Sequence, residues 1–546
     1  MNSFLKFIFI ANLFIVSSCS YQHAPADLII HNAKIYTVDN NFSIVEAMAI
    51  KDGLILETGP ERQIMNKYKS DQIIDAGQKP VYPGFIDAHC HFLGYGYSLV
   101  IVDLVGTKSW DEVLLRVDEF VEKHNPKIIE GRGWDQNDWE DKSFPDFDAL
   151  NERYPNTPVF LRRIDGHAAI ANQSTLDLAG IKAGDKLEGG LIKTIDDKLT
   201  GLLIDNAIDL IYNTLPETSE EEKVKALFEA QKKCFEVGLT TVDDAGLGMA
   251  SILLIDSLQQ SGDLKMRIYA MVADEPENLD YFFKRGKIKT NKLNVRSVKL
   301  YGDGALGSRG ACLLHPYSDE PGNTGFLLNS AEHFDEVAKA CFENGFQLNT
   351  HCIGDSANRL LTDVYAKYLK GTNDLRWRIE HAQVVNPDDV NKFKEFNIIP
   401  SVQPTHATSD MYWAEDRLGS ERIKDGYAYK TLLKTNGMLA LGTDFPVEKI
   451  SPFLTFYAAV SRMDTEGYPA GGFFADQALT REQALKGITI WAAISNFEEN
   501  EKGSLEAGKM ADFIILENDV MQVPVEEIPQ IKVSKTFVGG EMVFGR

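Results

Sequence analysis

Four histidines, a lysine and an aspartate fall where strand-like apolar runs of this sequence end. His89 and His91 flank Cys90 after residues 81–88, and Lys299 lies in Ser297-Val298-Lys299-Leu300-Tyr301. His351 follows 345–350, His381 follows 376–380, and Asp444 follows 438–442. Imidazole and carboxylate are the groups that hold zinc and neighbouring divalent ions. Side chains alternate along extended chain, so His89 and His91 point to one side and Cys90 to the other, which removes the thiol from the set. One histidine at a strand end is ordinarily a structural residue. Four histidines and an aspartate gathered at the same ends of several strands are a metal-ligation pattern.

Lys299 alternates with Val298 and Leu300. A strand lysine usually faces solvent. One facing inward is desolvated, its pKa falls, and the neutral amine can capture CO₂ as a carbamate able to bridge two cations. The residues alone leave both readings open.

The elements that would position these groups alternate strand and helix, which calls for a parallel sheet. Strands are expected at 81–88, 239–242, 266–272, 295–300, 345–350, 376–380, 397–402 and 438–442. Eight such strands make an α/β fold of the (β/α)₈ barrel type, whose active sites lie at the C-terminal strand ends. Ser219, with Glu222 three residues on, reads as the capping box of the helix before the second strand. Over 120 residues separate strands 1 and 2, too many for a structureless loop. Residues 95–218 therefore read as an inserted subdomain above the barrel mouth. Residues 20–80 and 496–546 are dense in short strands broken by Asn, Asp and Gly. Together they suggest a small β-sandwich built from both ends of the chain around a barrel domain at 81–495.

A net charge of −24 excludes nucleic acid as a partner, which would need a basic face. Residues 1–19 carry a lone Lys6 and the apolar run 7–16, too short to span a bilayer and suited to a signal peptide. The run ends in Val16-Ser17-Ser18-Cys19, which resembles a bacterial lipobox with Cys19 as the lipidation site. A lipid-anchored lipoprotein of the cell envelope, facing periplasm or surface, is expected; an ordinary cleaved signal is the alternative. The five further cysteines are odd in number and irregular in spacing, so no disulfide framework is implied.

Pro83-Gly84-Phe85-Ile86-Asp87-Ala88-His89-Cys90-His91 resembles the first-strand motif of the amidohydrolase superfamily. Other segments are similar to its amidohydrolase-3 or YtcJ-like branch, which includes the N-substituted formamide deformylases. They are Arg163-Ile164-Asp165-Gly166-His167, 299–309 with Gly302-Asp303-Gly304 at its centre, Arg378-Ile379-Glu380-His381, 403–410, and Gly442-Thr443-Asp444-Phe445-Pro446. The resemblance covers nearly the whole mature chain. It implies that His89, His91 and Asp444 hold one metal, that His351 and His381 hold the other, and that a carbamate on Lys299 bridges two divalent ions, expected to be zinc. The implied activity is cleavage of a C–N bond in an amide, formamide or cyclic amide by metal-activated hydroxide, with Asp444 as catalytic proton shuttle. The alternatives are an esterase or lactonase on the same site, or a lipid-anchored binding protein without catalysis. Trp134, Asp135 and His167 in the insertion, and His406 after the seventh strand, are expected as substrate contacts. The expected partner is a small amide-type substrate, with a homodimer left open and membrane contact only through the anchor.

Overall fold

The computed structural model describes residues 23–216, 218–371 and 373–546; Cys19 and the leader-like segment lie outside them. Eight parallel strands of the nine-stranded central sheet form the barrel: Phe85–Cys90 (β1), Leu239–Leu247 (β2), Arg267–Ala273 (β3), Leu293–Tyr301 (β4), Gln347–Cys352 (β5), Arg378–His381 (β6), Ile399–Val402 (β7) and Ala440–Leu441 (β8). Each pairs in parallel with the next. The barrel closes just beyond the paired residues, where Asp444 N donates to His89 O at 2.8 Å and His91 N donates to Phe445 O at 2.8 Å. All residues of β1 and β5 are buried, as expected of strands covered on both faces.

The helices between strands are set by local chemistry. Glu220–Glu236 opens with the Ser219/Glu222 capping box. Ala331–Asn344 starts on Ser330, whose hydroxyl accepts from His333 N, and stops at Gly345 with φ 68°, a left-handed stop natural to glycine. Among the described residues no helix is long and apolar enough to cross a membrane.

The expected first strand, 81–88, is two strands. Pro80–Pro83 belongs to the terminal β unit and Phe85–Cys90 to the barrel. Gly84 is the joint: a Cβ there would collide with the Thr240 side chain. Apolar content runs unbroken across the joint, so hydrophobic patterning does not reveal it.

Both ends of the chain do form one β unit. A six-stranded sheet joins Glu541–Gly545, Val533–Val538 and Phe513–Leu516 to Pro80–Pro83, Lys34–Tyr36 and Ile44–Val45. A four-stranded sheet of N-terminal strands packs with it around Ile30, Met48, Val81, Phe513 and Phe537. The segment between β1 and β2 carries its own six-stranded sheet, residues 102–205, with a separate core that includes Leu104, Val117, Trp134, Leu161 and Ile204. Loops of this insertion and the C-terminal ends of the barrel strands enclose a cavity of about 1410 Å³.

Candidate active site

His89 occupies the fifth position of β1, and His91 begins the turn into helix Phe92–Ser98. The backbone bonds that close the barrel set Asp444 opposite them. Asp444 Oδ1 lies 3.3 Å from His91 Nε2 and 3.6 Å from His89 Nε2. Asp87 reinforces this seam by accepting from Thr443 N at 3.0 Å and Thr443 Oγ1 at 2.7 Å. Asp444 and His381 both adopt left-handed backbone, φ 63° and 70°, a conformation that costs of order 1 kcal/mol or more for non-glycine residues. Functional sites commonly hold such strain.

Below the site runs a buried chain of charge. His89 Nδ1 lies 2.7 Å from Glu380 Oε2, and Arg378 Nε donates to Glu380 Oε1 at 2.6 Å. Arg378 Nη1 donates to Asp243 Oδ2 at 2.9 Å, and Asn496 donates to the same carboxylate at 2.6 Å. Burial alone would raise the Glu380 carboxyl, but Arg378 and His89 hold it far below the usual carboxylate range. Burial and the neighbouring Lys299 push His89 down to about 4, so its ring is neutral at neutral pH. An ionised carboxylate only accepts, so Nδ1 carries the hydrogen and the Nε2 lone pair faces Asp444 and Lys299.

Lys299, 1% exposed, points inward. Its Nζ is 3.3 Å from His89 Nε2, and burial pulls it down to about 8. His351 and His381 pack ring against ring at 4.5 Å, and His381 Nδ1 is 2.8 Å from Gln403 Oε1. Burial, with the charges of neighbouring side chains, holds both imidazoles well below their usual pKa.

The nitrogen and oxygen donors gather into two compact trios sharing Asp444: His89, His91 and Asp444, and His381, His406 and Asp444. His406, expected as a substrate contact, thus lies among the donors, its Nε2 3.7 Å from Asp444 Oδ2 and its ring stacked on His381. His351 lies outside both trios, with Nε2 3.8 Å from Asp303 Oδ1. Cys90 is buried with its Sγ 3.5 Å from Asp243 O, away from the donors. Asp444 Oδ1, His351 Nε2 and His406 Nε2 are among the buried atoms with no hydrogen-bond partner.

The insertion forms the roof. Asp135 and Asp165 line the cavity and both pair with Arg163. Trp134, expected beside them, does not reach the cavity: it is fully buried in the insertion core and its Nε1 donates to Leu161 O at 2.8 Å. His167 lines the cavity with its ring 5.1 Å from that of His351. Its Nδ1 is held by Asp205 Oδ1 at 2.5 Å, leaving Nε2 for the cavity. Gly304 and Gly310 make room for that carboxylate, since a Cβ on either would run into Asp205.

This geometry meets its relatives at one point of decision. The model of the amidohydrolase family matches residues 72–544. The chain belongs to the amidohydrolase family. It is 32% identical to Protein LONG AFTER FAR-RED 3 of Arabidopsis thaliana, over 95% of this chain and 92% of that one. Identity to the putative amidohydrolase YtcJ of Bacillus subtilis is 30%, covering 94% and 98%. Identity to the N-substituted formamide deformylase of Arthrobacter pascens is 26%, covering 95% and 98%. The crystal structure of an uncharacterised metal-dependent hydrolase from Pyrococcus horikoshii superposes with TM-score 0.75 at 30% identity, covering 91% and 99%. The protein is a hydrolase on a TIM-type barrel with an added β unit, and its donor trios support use of a divalent metal. In this amidohydrolase, the sequence reading held Arg378 and Glu380 in a motif without giving them a role, and did not mark Asp205. Arg378 and Glu380 alternate on one barrel strand, and two charges on a strand buried on both faces are a usable signal. Asp205 carries none.

Proposed function

We propose that the protein hydrolyses the C–N bond of a small amide, formamide or cyclic amide. The observation that carries this reading is the set of partnerless buried atoms on Asp444, His351 and His406, which converge with His91, His381 and Lys299 on one cavity, with His89 buried beside Asp444. Buried polar atoms without partners are rare in native proteins, and this nitrogen and oxygen donor set suits zinc and its neighbours. The residues therefore fit two divalent ions. His89, His91 and Asp444 would hold one; His381 with His351 or the adjacent His406 would hold the other; and Lys299 as a carbamate would stand between them.

Such ions, when bound, polarise a carbonyl and acidify water. The protein's own residues supply the rest. Asp444 takes the proton of the attacking water and returns it to the leaving amine, work a carboxylate does when placed within hydrogen-bond reach. Glu380 keeps His89 in the tautomer whose Nε2 faces the site. His167, steadied by Asp205, offers a hydrogen bond to the substrate from the roof, and the insertion shields the reaction from bulk water. The deformylase relative acts, by its name, on N-substituted formamides, which supports the choice of bond. The lipobox-like run ending at Cys19 supports attachment to the cell envelope.

The test is purified, metal-loaded protein screened against N-formyl amines, N-acyl amino acids, hydantoins and lactones, with elemental analysis alongside. Hydrolysis of an amide-type member with roughly two divalent ions per chain is expected. Cleavage of lactones alone, or activity persisting with only trace metal, would overturn the reading.

A further inference from the structure

Arg132 was not among the expected site residues. It lies in the roof strand Ile129–Trp134, and its side chain lines the cavity. Strand register sets it beside Arg162 of Val159–Arg163, so two cations neighbour each other across the sheet. Arg162 instead rests over the Tyr212 ring at 5.5 Å. Arg132 Nη2 donates to Ile164 O at 2.9 Å, while Nε is buried with no acceptor. No carboxylate among the described residues forms an ion pair with Arg132.

Four acids of the cavity wall are engaged elsewhere. Asp135 and Asp165 are taken by Arg163. Asp410 accepts from the Tyr427 hydroxyl at 2.8 Å, and Glu448 accepts from Ser409 Oγ at 2.6 Å. Lys108, Lys142 and Lys449 also border the cavity, but they are exposed and water solvates them. Arg132 differs from them: it is a largely enclosed guanidinium with donors to spare and no acid partner. Burial and Arg162 draw it down to about 10, still charged at neutral pH. An enclosed charge without a partner is costly in the free protein, and an anion entering the cavity would relieve that cost.

Its place in the site is also defined. The turn Asp165-Gly166-His167 passes over it, and a Cβ on Gly166 would stand 3.4 Å from Arg132 Nη2. The next residue, His167, is the one whose ring lies 5.1 Å from His351. The guanidinium thus sits against the residue next to His167, and both line the cavity that holds the histidine cluster. A planar fork of donors matches a carboxylate in two parallel hydrogen bonds.

We propose that Arg132 binds the carboxylate of the substrate, so that the preferred substrates are amides bearing an acid group close to the scissile bond. This rests on the amide-hydrolase reading above. The test compares N-formylphenylalanine with N-formylphenethylamine, which differ only by the carboxylate, on metal-loaded wild type, Arg132→Gln and Arg132→Lys. Wild type should favour the acid by kcat/KM. Arg132→Gln should lower that preference at least tenfold, mainly through KM, and Arg132→Lys should keep part of it by retaining charge without the fork. A wild-type preference near one, or a preference unchanged in Arg132→Gln, overturns the proposal while leaving amide hydrolysis intact. Calorimetry with 3-phenylpropionate and 3-phenylpropanamide gives a readout independent of turnover. Tighter binding of the acid that is lost in Arg132→Gln supports the proposal. Acid binding that survives in a folded Arg132→Gln variant places the carboxylate on the donor cluster and overturns it. If neither formyl compound is hydrolysed, the calorimetry still decides the role of Arg132.

Discussion

Glu380→Gln is nearly isosteric, yet the buried charge chain makes its consequence specific. Arg378 Nε has only hydrogens to offer, so the new amide must turn its oxygen towards Arg378 and its NH₂ towards His89 Nδ1. In the native site those contacts measure 2.6 and 2.7 Å, close enough that neither can be ignored. The His89 ring then accepts at Nδ1 and carries its hydrogen on Nε2, the nitrogen that stands 3.6 Å from Asp444 Oδ1. A protonated Nε2 cannot ligate. Losing the partner of a ligating histidine commonly costs about 10–100-fold in metal affinity, or about 1.4–2.7 kcal/mol, and the tautomer argument places this variant at the upper end. The fold should suffer less than the roughly 3–5 kcal/mol expected for breaking a buried ion pair. Arg378 retains Asp243 at 2.9 Å and its bond to Ala88 O. The assay is zinc titration of metal-free protein against a chromophoric chelator, with thermal melts of the same samples. Zinc affinity within twofold of wild type in a folded Glu380→Gln protein would refute the reasoning.

Asp444→Asn should keep the fold and at least one metal but lose about 10²–10⁴-fold in amide hydrolysis. Activated esters, whose leaving groups need no proton, should lose less, and equal losses on both would remove the shuttle role. Lys299→Ala should lose activity together with one or both metals, and short carboxylates should restore part of each; full metal loading without rescue counts against a carbamate. Glu498, buried between Lys502 and Lys289 at 2.8 and 2.6 Å, is held down to about 2 by those ammonium groups against the opposing effect of burial. A depressed carboxylate stabilises the fold fully above its unfolded value of 4.5 and loses that contribution as pH falls towards about 2. The melting temperature of Glu498→Gln should therefore fall less steeply than that of wild type across this window; parallel curves would contradict the assignment.

The barrel and its donors were legible because periodicity and residue type act locally. Strand ends mark the top of a barrel, and His89, His91, Lys299, His351, His381 and Asp444 all sit there. What sequence did not show depends on contacts made across the fold. Gly84 divides two strands because Thr240 leaves no space for a side chain, a fact held by a residue far along the chain. Trp134 resembles a pocket aromatic by motif, yet Leu161 O takes its one donor inside the insertion core. His406 joined the donors because helix Pro404–Asp410 turns its ring onto His381, and a loop-like stretch gives no sign of that. Arg132 was invisible for the opposite reason: its importance lies in an absent partner, and absence becomes apparent only once every neighbour is placed.

The seam between β1 and Asp444 also governs when the site can come into being. His89 and His91 leave the ribosome some 350 residues before Asp444, and at synthesis rates of ~5–20 residues per second that gap lasts tens of seconds. Until then two of the donors wait on a half-made barrel whose last strand does not yet exist. Metal capture in the finished geometry is therefore an event of the completed chain. A protein stopped before residue 444 would be more than a shortened enzyme: it would be an open sheet with exposed edges and unattended histidines, a substrate for quality control.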